Sequence, residues 1–295
     1  MTSFGPAEIF DLGYQGYDGE RTNRWARRRA IWRDGIRVSL GLGRGTGAKI
    51  APWLLIAFAL VPMAVLVVIA AFVGSTPTNP DDFELPSYAD YYEFAIVPLS
   101  LFAAVVAPLL LCPDRRDGVL ALYAARPITA TDYVAARWTA FFTVVMVVAC
   151  VPEGVLFTWN LLDASNTGSW LGDNWDVVPR FLVAGLIVAM AFTTLALFTA
   201  SFTTRRAYAS IATLAVLFIG SAIGGISEDS FTGSVADVLS LAALPQIAID
   251  TVHWIFGDNL SERPLEGGVS ALWLVGLTVV LAILLWRRTG RLMRG

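Results

Sequence analysis

Apolar residues in this chain are gathered into six long blocks, near residues 51–73, 94–112, 138–159, 179–202, 207–226 and 269–286. Each block is roughly 18–24 residues long, and a helix of about 20 residues is what crosses ~30 Å of hydrocarbon. Trp53, Trp138, Trp159, Trp273 and Trp286 stand near block ends, where an amphipathic ring suits the headgroup region. The pattern predicts an all-α membrane protein in three parts. A tail with an interfacial helix covers 1–50, a six-span domain covers 51–286, and a short basic tail covers 287–295. The opening MTSFGPAEIFDLG has no basic run followed by an apolar stretch, so no block reads as a secretory signal. Segment 235–256 competes as a seventh span, but Asp237, Pro245, Asp250 and His253 interrupt it. It reads instead as an extracytoplasmic helical hairpin or re-entrant piece before span six, tolerable at membrane depth only where protein covers its backbone.

Composition narrows the class. Only 15% of the residues are charged and mean hydropathy is +0.63, whereas soluble domains carry about a quarter charged residues. A soluble enzyme and a nucleic-acid binder are both excluded. The net charge of −3 conceals a strong asymmetry. Nineteen of the 21 basic residues fall in the N-terminal tail, the 113–137 loop, Arg205–Arg206 and the C-terminal tail, against eight acids. The intervening segments hold Arg180, Arg263 and 15 acids, which leaves Glu153 alone inside a span. The positive-inside rule then puts both termini in the cytoplasm of a multi-pass protein with an even number of spans. The basic residues are 20 Arg to one Lys, as GC-rich bacterial coding would give, so the membrane is expected to be a bacterial plasma (inner) membrane.

Catalytic and metal signatures are sparse. Cys112 and Cys150 fall at the cytoplasmic end of span two and within span three, away from the oxidising side, and read as small buried apolar residues. A zinc site would need more ligands than these two and the single histidine, His253. In GLGRGTGAK at 41–49, Ala48 stands where a phosphate-binding loop needs Gly before its Lys. The looser Gly43-x-Gly45-x-x-Ala48 spacing lacks a preceding strand, and the segment reads as a Gly-rich joint into span one. No Gly-x-Ser-x-Gly elbow exists, and Asn259-Leu260-Ser261 is a formal glycosylation sequon without meaning in a bacterium. No catalytic, cofactor or metal residue is assigned.

Three segments carry more information. Over 24–44, Trp25, Ile31, Trp32, Ile36, Val38, Leu40 and Leu42 fall on one half of a helical wheel. Arg27, Arg33, Asp34, Arg37 and Arg44 fall on the other half, with Arg28 and Arg29 at the edge. Such a helix lies in a membrane interface, although Gly35 weakens it and an irregular basic tail is the alternative. Between spans two and three runs Cys112-Pro-Asp-Arg-Arg-Asp-Gly-Val-Leu-Ala-Leu-Tyr123, then Arg126-Pro127-Ile128-Thr129-Ala130-Thr131-Asp132-Tyr133. Acids near its start favour a short membrane-parallel helix, Pro127 ends it, and Thr129-x-x-Asp132 resembles a capping box opening the next helix. The third is Glu153 after Pro152, six residues from Trp159 and so about 9 Å below the outer end of span three. It reads as a substrate contact or outer gate, or as a hydrogen-bonded helix contact or a side chain reaching outside water. Gly220-x-x-x-Gly224 in span five permits close helix approach.

The 112–133 stretch resembles the acidic/Arg-Gly-x-Leu…Pro-Ile-Thr/Ser…Tyr signature of ABC exporter permeases of the six-helix ABC-2 type. The topology is similar over nearly the whole chain, the motif over about 25 residues. The opening IFDLGYQGYDGER also resembles actinobacterial permeases of this class. The resemblance implies the transmembrane subunit of an ATP-driven transporter, a dimer with a second copy or paralogue. ATP and Mg would sit on separate cytoplasmic ATPase subunits, with no cofactor and no enzyme activity on this chain. Asp114, Arg115, Arg116, Asp117, Gly118, Val119, Leu122 and Tyr123 would form the coupling helix, with Val119 where many relatives carry Thr. Spans two and five would line the path, where Ser100, Ser210, Thr213 and Ser221 are the polar groups and suit an apolar or amphipathic cargo. The alternative is a membrane scaffold or sensor subunit that recruits a cytoplasmic partner without transport of its own. A secondary transporter fits less well, with one intramembrane ionisable residue and no internal repeat.

Overall fold

A computed structural model describes residues 23–43, 45–74, 87–124, 128–230, 233–257 and 265–293, and every element among them is helical. The opening 9–21 stretch, Arg126, Pro127 and the 259–261 sequon lie outside the described residues. In chain order the helices are α1 Arg24–Ser39, α2 Thr46–Gly74, α3 Tyr88–Arg116 and α4 Val119–Ala124. Then come α5 Ala130–Asp163, α6 Thr167–Asn174, α7 Val177–Ala200, α8 Arg206–Ser230, α9 Ser234–Ser240, α10 Leu244–Phe256 and α11 Gly267–Leu292. Six of them, α2, α3, α5, α7, α8 and α11, are long and apolar enough to cross a membrane, and they coincide with the six apolar blocks.

Local signals set the helix ends. Asn23 caps α1 by accepting from the Ala26 amide at 2.8 Å. Ser87 with Asp90, and Thr129 with Asp132, form complete capping boxes at the starts of α3 and α5. The second of these starts α5 eight residues before its apolar block, giving a helix of 34 residues. The structure divides 112–123 differently from the single short helix expected there. Pro113 lies inside α3, which continues to Arg116, and Gly118 at φ +68° makes the reversal before a six-residue α4. The acids Asp114 and Asp117 therefore belong to the end of α3, where Arg115 and Arg116 suit the helix dipole. The acidic 160–179 loop also contains a helix the apolar pattern did not announce. Asn166 caps α6 through the Gly168 and Ser169 amides, and Trp170 packs on Phe157 with ring centres 5.3 Å apart.

Helix α3 is the centre of the bundle, packed against α1, α2, α5, α7, α8 and α10. Of its apolar window 72% is buried, against 22% for α2 and 28% each for α8 and α11. Leu99, Phe102, Val106 and Leu110 are fully enclosed, and Phe102 stacks on Phe141 of α5 at 5.9 Å. The helix ends sort into two sets. At the basic end, α1, the first turn of α5, the 201–205 turn and the last turns of α11 meet: Trp286 donates to Thr131 at 2.9 Å and Arg288 to the Ser201 carbonyl at 2.9 Å. At the acidic end, Tyr88 stacks on Phe256, Asn160 donates to Tyr88 at 3.0 Å, and Arg180 donates to the Phe256 carbonyl at 2.9 Å.

Between α8 and α11 the chain doubles back as α9, a three-residue turn and α10. The turn nests on α8 because Gly220 and Gly224 have no side chain there. A Cβ on Gly220 would run into the Ala242 carbonyl, and one on Gly224 would lie 2.5 Å from Ala243 Cβ. Trp273 of α11 closes the other side by donating to the Leu241 carbonyl at 3.1 Å. Gly220 is fourteen residues into α8, about 21 Å from its start, so the turn reaches well down the bundle before α10 returns to the acidic end.

This nesting gives an internal comparison. Gly220→Leu meets backbone and is expected to destabilise by about 3 kcal/mol, the upper part of the overpacking range. Gly225→Leu, where nothing lies within 4 Å, is expected to melt like the wild type. Thermal unfolding of the purified chain in detergent checks both; equal melting of the two variants contradicts the nested turn.

Candidate functional site

The charged groups of the basic end converge on Arg137 of α5, which is 3% exposed. One guanidinium nitrogen donates to Asp34 of α1 at 2.7 Å and the other terminal nitrogen to Asp114 of α3 at 2.8 Å. Tyr133, one helical turn earlier, donates its hydroxyl to the same Asp114 oxygen at 2.8 Å. Three helices are thereby joined through one buried cation. Close approach makes this possible: a Cβ on Gly35 of α1 would lie 2.6 Å from Ala140 Cβ. Farther out, Arg24 holds Asp132 through two bonds at 2.8 and 3.0 Å. The buried residues of α1 are thus Ile31, Gly35, Val38 and Ser39. Asp34, expected on a solvated face, serves as a partner for a buried charge, while Trp25 is exposed.

This network splits the proposed coupling residues into a root and a tip. Asp114 turns inward to Arg137, and Arg115 donates to the Ser201 carbonyl and, at 3.0 Å, to the Thr203 carbonyl just beyond α7. Tyr123 leans on Tyr133 with ring centres 5.5 Å apart, and Val119 is half-buried. Arg116, Asp117 and Gly118 are exposed. Arg116 bonds Asp117 at 2.8 Å, and that bond holds the Asp117 carboxyl below the ordinary carboxylate range. The Leu122 side chain lies outside the described residues. Asp34, Tyr133 and Arg137 complete the root; the sequence names Asp34 only on a helical wheel and Tyr133 only as the end of the 112–133 stretch, and gives none of the three a coupling role. Arg137, an arginine beside Trp138 at the edge of an apolar block, was the one available signal.

Glu153 is 0% exposed, and neither carboxyl oxygen has a hydrogen-bond partner among the described residues. Among the described residues, this burial leaves the carboxyl neither exposed to water nor in a hydrogen-bonded helix contact. The surroundings are close-packed. Tyr92 of α3 directs its hydroxyl to the Ala149 carbonyl at 3.4 Å, Tyr91 directs its own to Ala59 of α2 at 2.7 Å, and a Cβ on Gly185 of α7 would overlap Cys150 Sγ. A carboxyl without partners in a closed site is a standing energetic cost, the usual mark of a group kept for function.

The path-lining candidates do not meet at one site. Ser100 of α3 is buried and donates to the Ile96 carbonyl at 2.6 Å. Thr213 of α8 is buried and bonds the Ala209 carbonyl at 3.0 Å and the Thr199 hydroxyl of α7 at 2.6 Å. Ser221 donates to the Leu217 carbonyl at 2.9 Å, and Ser210 is half-buried. Hydroxyls engaged by their own backbone leave apolar helix faces, and the small cleft among α7, α8, α10 and α11 is lined by Phe192, Leu195, Leu217, Leu244 and Leu277 around Thr278. No protein-family model matches the chain, and no curated protein matches it.

Replacing Glu153 separates its readings. With no hydrogen bond to lose, Glu153→Leu is expected to fold and to be more stable than the wild type by about 1–3 kcal/mol, the cost of an unsatisfied buried group. Glu153→Gln keeps shape and polarity and should leave stability near the wild type. Unfolding curves in detergent read both; a Leu variant that loses folded yield shows that the carboxyl is a structural contact.

Proposed function

We propose that this chain is the transmembrane permease subunit of an ATP-driven ABC exporter in a bacterial plasma membrane. Both termini would be cytoplasmic, and the chain would pair with a second permease copy or paralogue. Separate cytoplasmic ATPase subunits would carry ATP and Mg. The observation that carries this reading is the anchored tip: an exposed Arg116-Asp117-Gly118 reversal whose root is tied through Asp114 and Arg115 to α1, α5 and the end of α7. A solvated loop has no need of such ties. A lever does, because a push on the tip must move helices rather than bend the loop.

In this account the motion of a docked ATPase enters at Arg116–Tyr123. Asp114–Arg137 passes it to α5 and Arg137–Asp34 to α1, while Arg115 passes it to the α7–α8 turn. Helices α3 and α8, which carry Ser100, Ser210, Thr213 and Ser221, then change their packing. An apolar or amphipathic cargo suits a path with so few free polar groups. Glu153 would act toward the acidic end as a gate between helices α3, α5 and α7. The α9–α10 pair, set beside α8 and returning to that end, would be the extracytoplasmic re-entrant hairpin, and α1 the interfacial helix.

Co-purification is the test. A Walker-motif ATPase is expected to accompany the chain in a stoichiometric complex. Asp117→Arg, at an exposed position, should weaken that complex or uncouple hydrolysis from transport by about tenfold or more, through charge reversal at the contact. Stoichiometric binding with hydrolysis and transport unchanged in Asp117→Arg removes the tip from the mechanism. A partner without ATPase motifs favours the scaffold alternative.

A further inference from the structure

Helices α1 and α5 enclose a groove of about 610 Å³ at the basic end, within the ~300–1,000 Å³ range of small-molecule sites. One wall is a single face of α1, with Trp25, Arg28, Arg29 and Trp32 at positions i, i+3, i+4 and i+7. The other wall is Ala135, Ala136 and Thr139 of α5, whose small side chains leave the space open. We propose that this groove binds the headgroup of an anionic glycerophospholipid, with the phosphate on Arg28 and Arg29 and an acyl chain lying along α5.

Three observations identify the ligand class. The first is charge. Arg24 already takes both oxygens of Asp132, and Arg28 stands 3.5 Å from that carboxylate, farther than Arg24. Arg29 is exposed and has no hydrogen-bond or ion-pair partner among the described residues. Two arginines converge on the groove with donors to spare, an arrangement suited to phosphate oxygens. The second is the pair of indoles, Trp25 and Trp32, at either end of the α1 face, as befits the headgroup level of a membrane.

The third is what continues from the groove. From Thr139 the outward ridge of α5 runs through Thr143, Val147 and Val151, and both valines are exposed. Thr139 to Val151 spans about 18 Å of helix, which matches the ~15 Å hydrocarbon depth of one leaflet. A free phosphate compound would use the arginines and leave this apolar ridge idle; a phospholipid uses both. The groove faces the end at which 19 of the 21 basic residues are expected, and anionic lipid attracts such a surface. The inference does not depend on transport or on an ATPase.

The test uses the full chain purified in detergent, mixed with phosphatidylglycerol or with phosphatidylcholine of the same acyl chains, and lipid retention read by native mass spectrometry. The wild type is expected to retain phosphatidylglycerol in preference to phosphatidylcholine, and an excess of inorganic phosphate should leave the lipid bound. Replacing both arginines, R28Q with R29Q, should lower phosphatidylglycerol retention by roughly 30-fold, from the loss of two charges near an anionic group. Thr139→Phe fills the groove without touching a charge and should lower it as well. Equal retention of the two lipids by the wild type overturns the proposal, and so does undiminished retention by the double variant. Displacement of the lipid by inorganic phosphate would assign the groove to a soluble phosphate compound instead.

Discussion

A guanidinium buried beside an apolar bundle must be matched in charge and in geometry, and the basic end of this protein is arranged around that requirement at Arg137. Removing an ion from water costs several kcal/mol, offset only when partners are close and well oriented. Asp34 and Asp114 meet this need from two different helices at 2.7 and 2.8 Å, with the Tyr133 hydroxyl completing the coordination of Asp114. Helix α1 therefore lies across α5 at one angle and depth, set by Asp34 and the Gly35–Ala140 contact. The end of α3 is fixed in the same way, and with it the direction in which Arg116, Asp117 and Gly118 project. The groove proposed for lipid lies beside the same crossing, between the Trp25–Trp32 face of α1 and Ala135, Ala136 and Thr139 of α5.

The acidic end rests on a different constraint, the absence of side chains. Gly220 and Gly224 admit the 241–243 turn against α8, and Gly267 admits Trp254 of α10 against α11. On α10 the buried Thr251 hydroxyl bonds the Ile247 carbonyl of its own helix, and buried His253 lies 3.4 Å from Glu93 of α3. Into this close-packed region Glu153 brings a carboxyl without a partner. The basic end is thus tied by matched buried charges, and toward the other end close packing surrounds a Glu153 carboxyl that has no hydrogen-bond partner among the described residues.

The spans were legible in the sequence because hydrocarbon thickness imposes a block length that little else imitates, and because aromatic residues mark the block ends. Thr129-x-x-Asp132 was legible for a local reason: a capping box is complete within four residues. What was illegible depended on partners far along the chain. A helical wheel placed Asp34 among solvated charges, since nothing within α1 reveals an arginine about a hundred residues away. Asp114 and Arg115 read as charges of a cytoplasmic loop by the same reasoning, because the apolar block stops at 112 while the helix carries Pro113 inside it and runs on to Arg116. Helix α6 leaves no mark in the apolar pattern because its eight residues lack an apolar face of their own and borrow Phe157 for packing. Glu153 was found by its rarity, but its lack of a partner required the three-dimensional packing.

The central claim is that Arg137 holds α1, α3 and α5 as one unit. A double-mutant cycle on Arg137→Met and Asp114→Asn, read by unfolding of the purified chain, tests it most directly. Arg137→Met alone should cost about 3–5 kcal/mol by stranding its acids. The double variant should lose clearly less than the two single losses added together, beyond the ~0.5 kcal/mol within which independent sites are additive. Additive losses, or an Arg137→Met chain as stable as the wild type, would contradict the account.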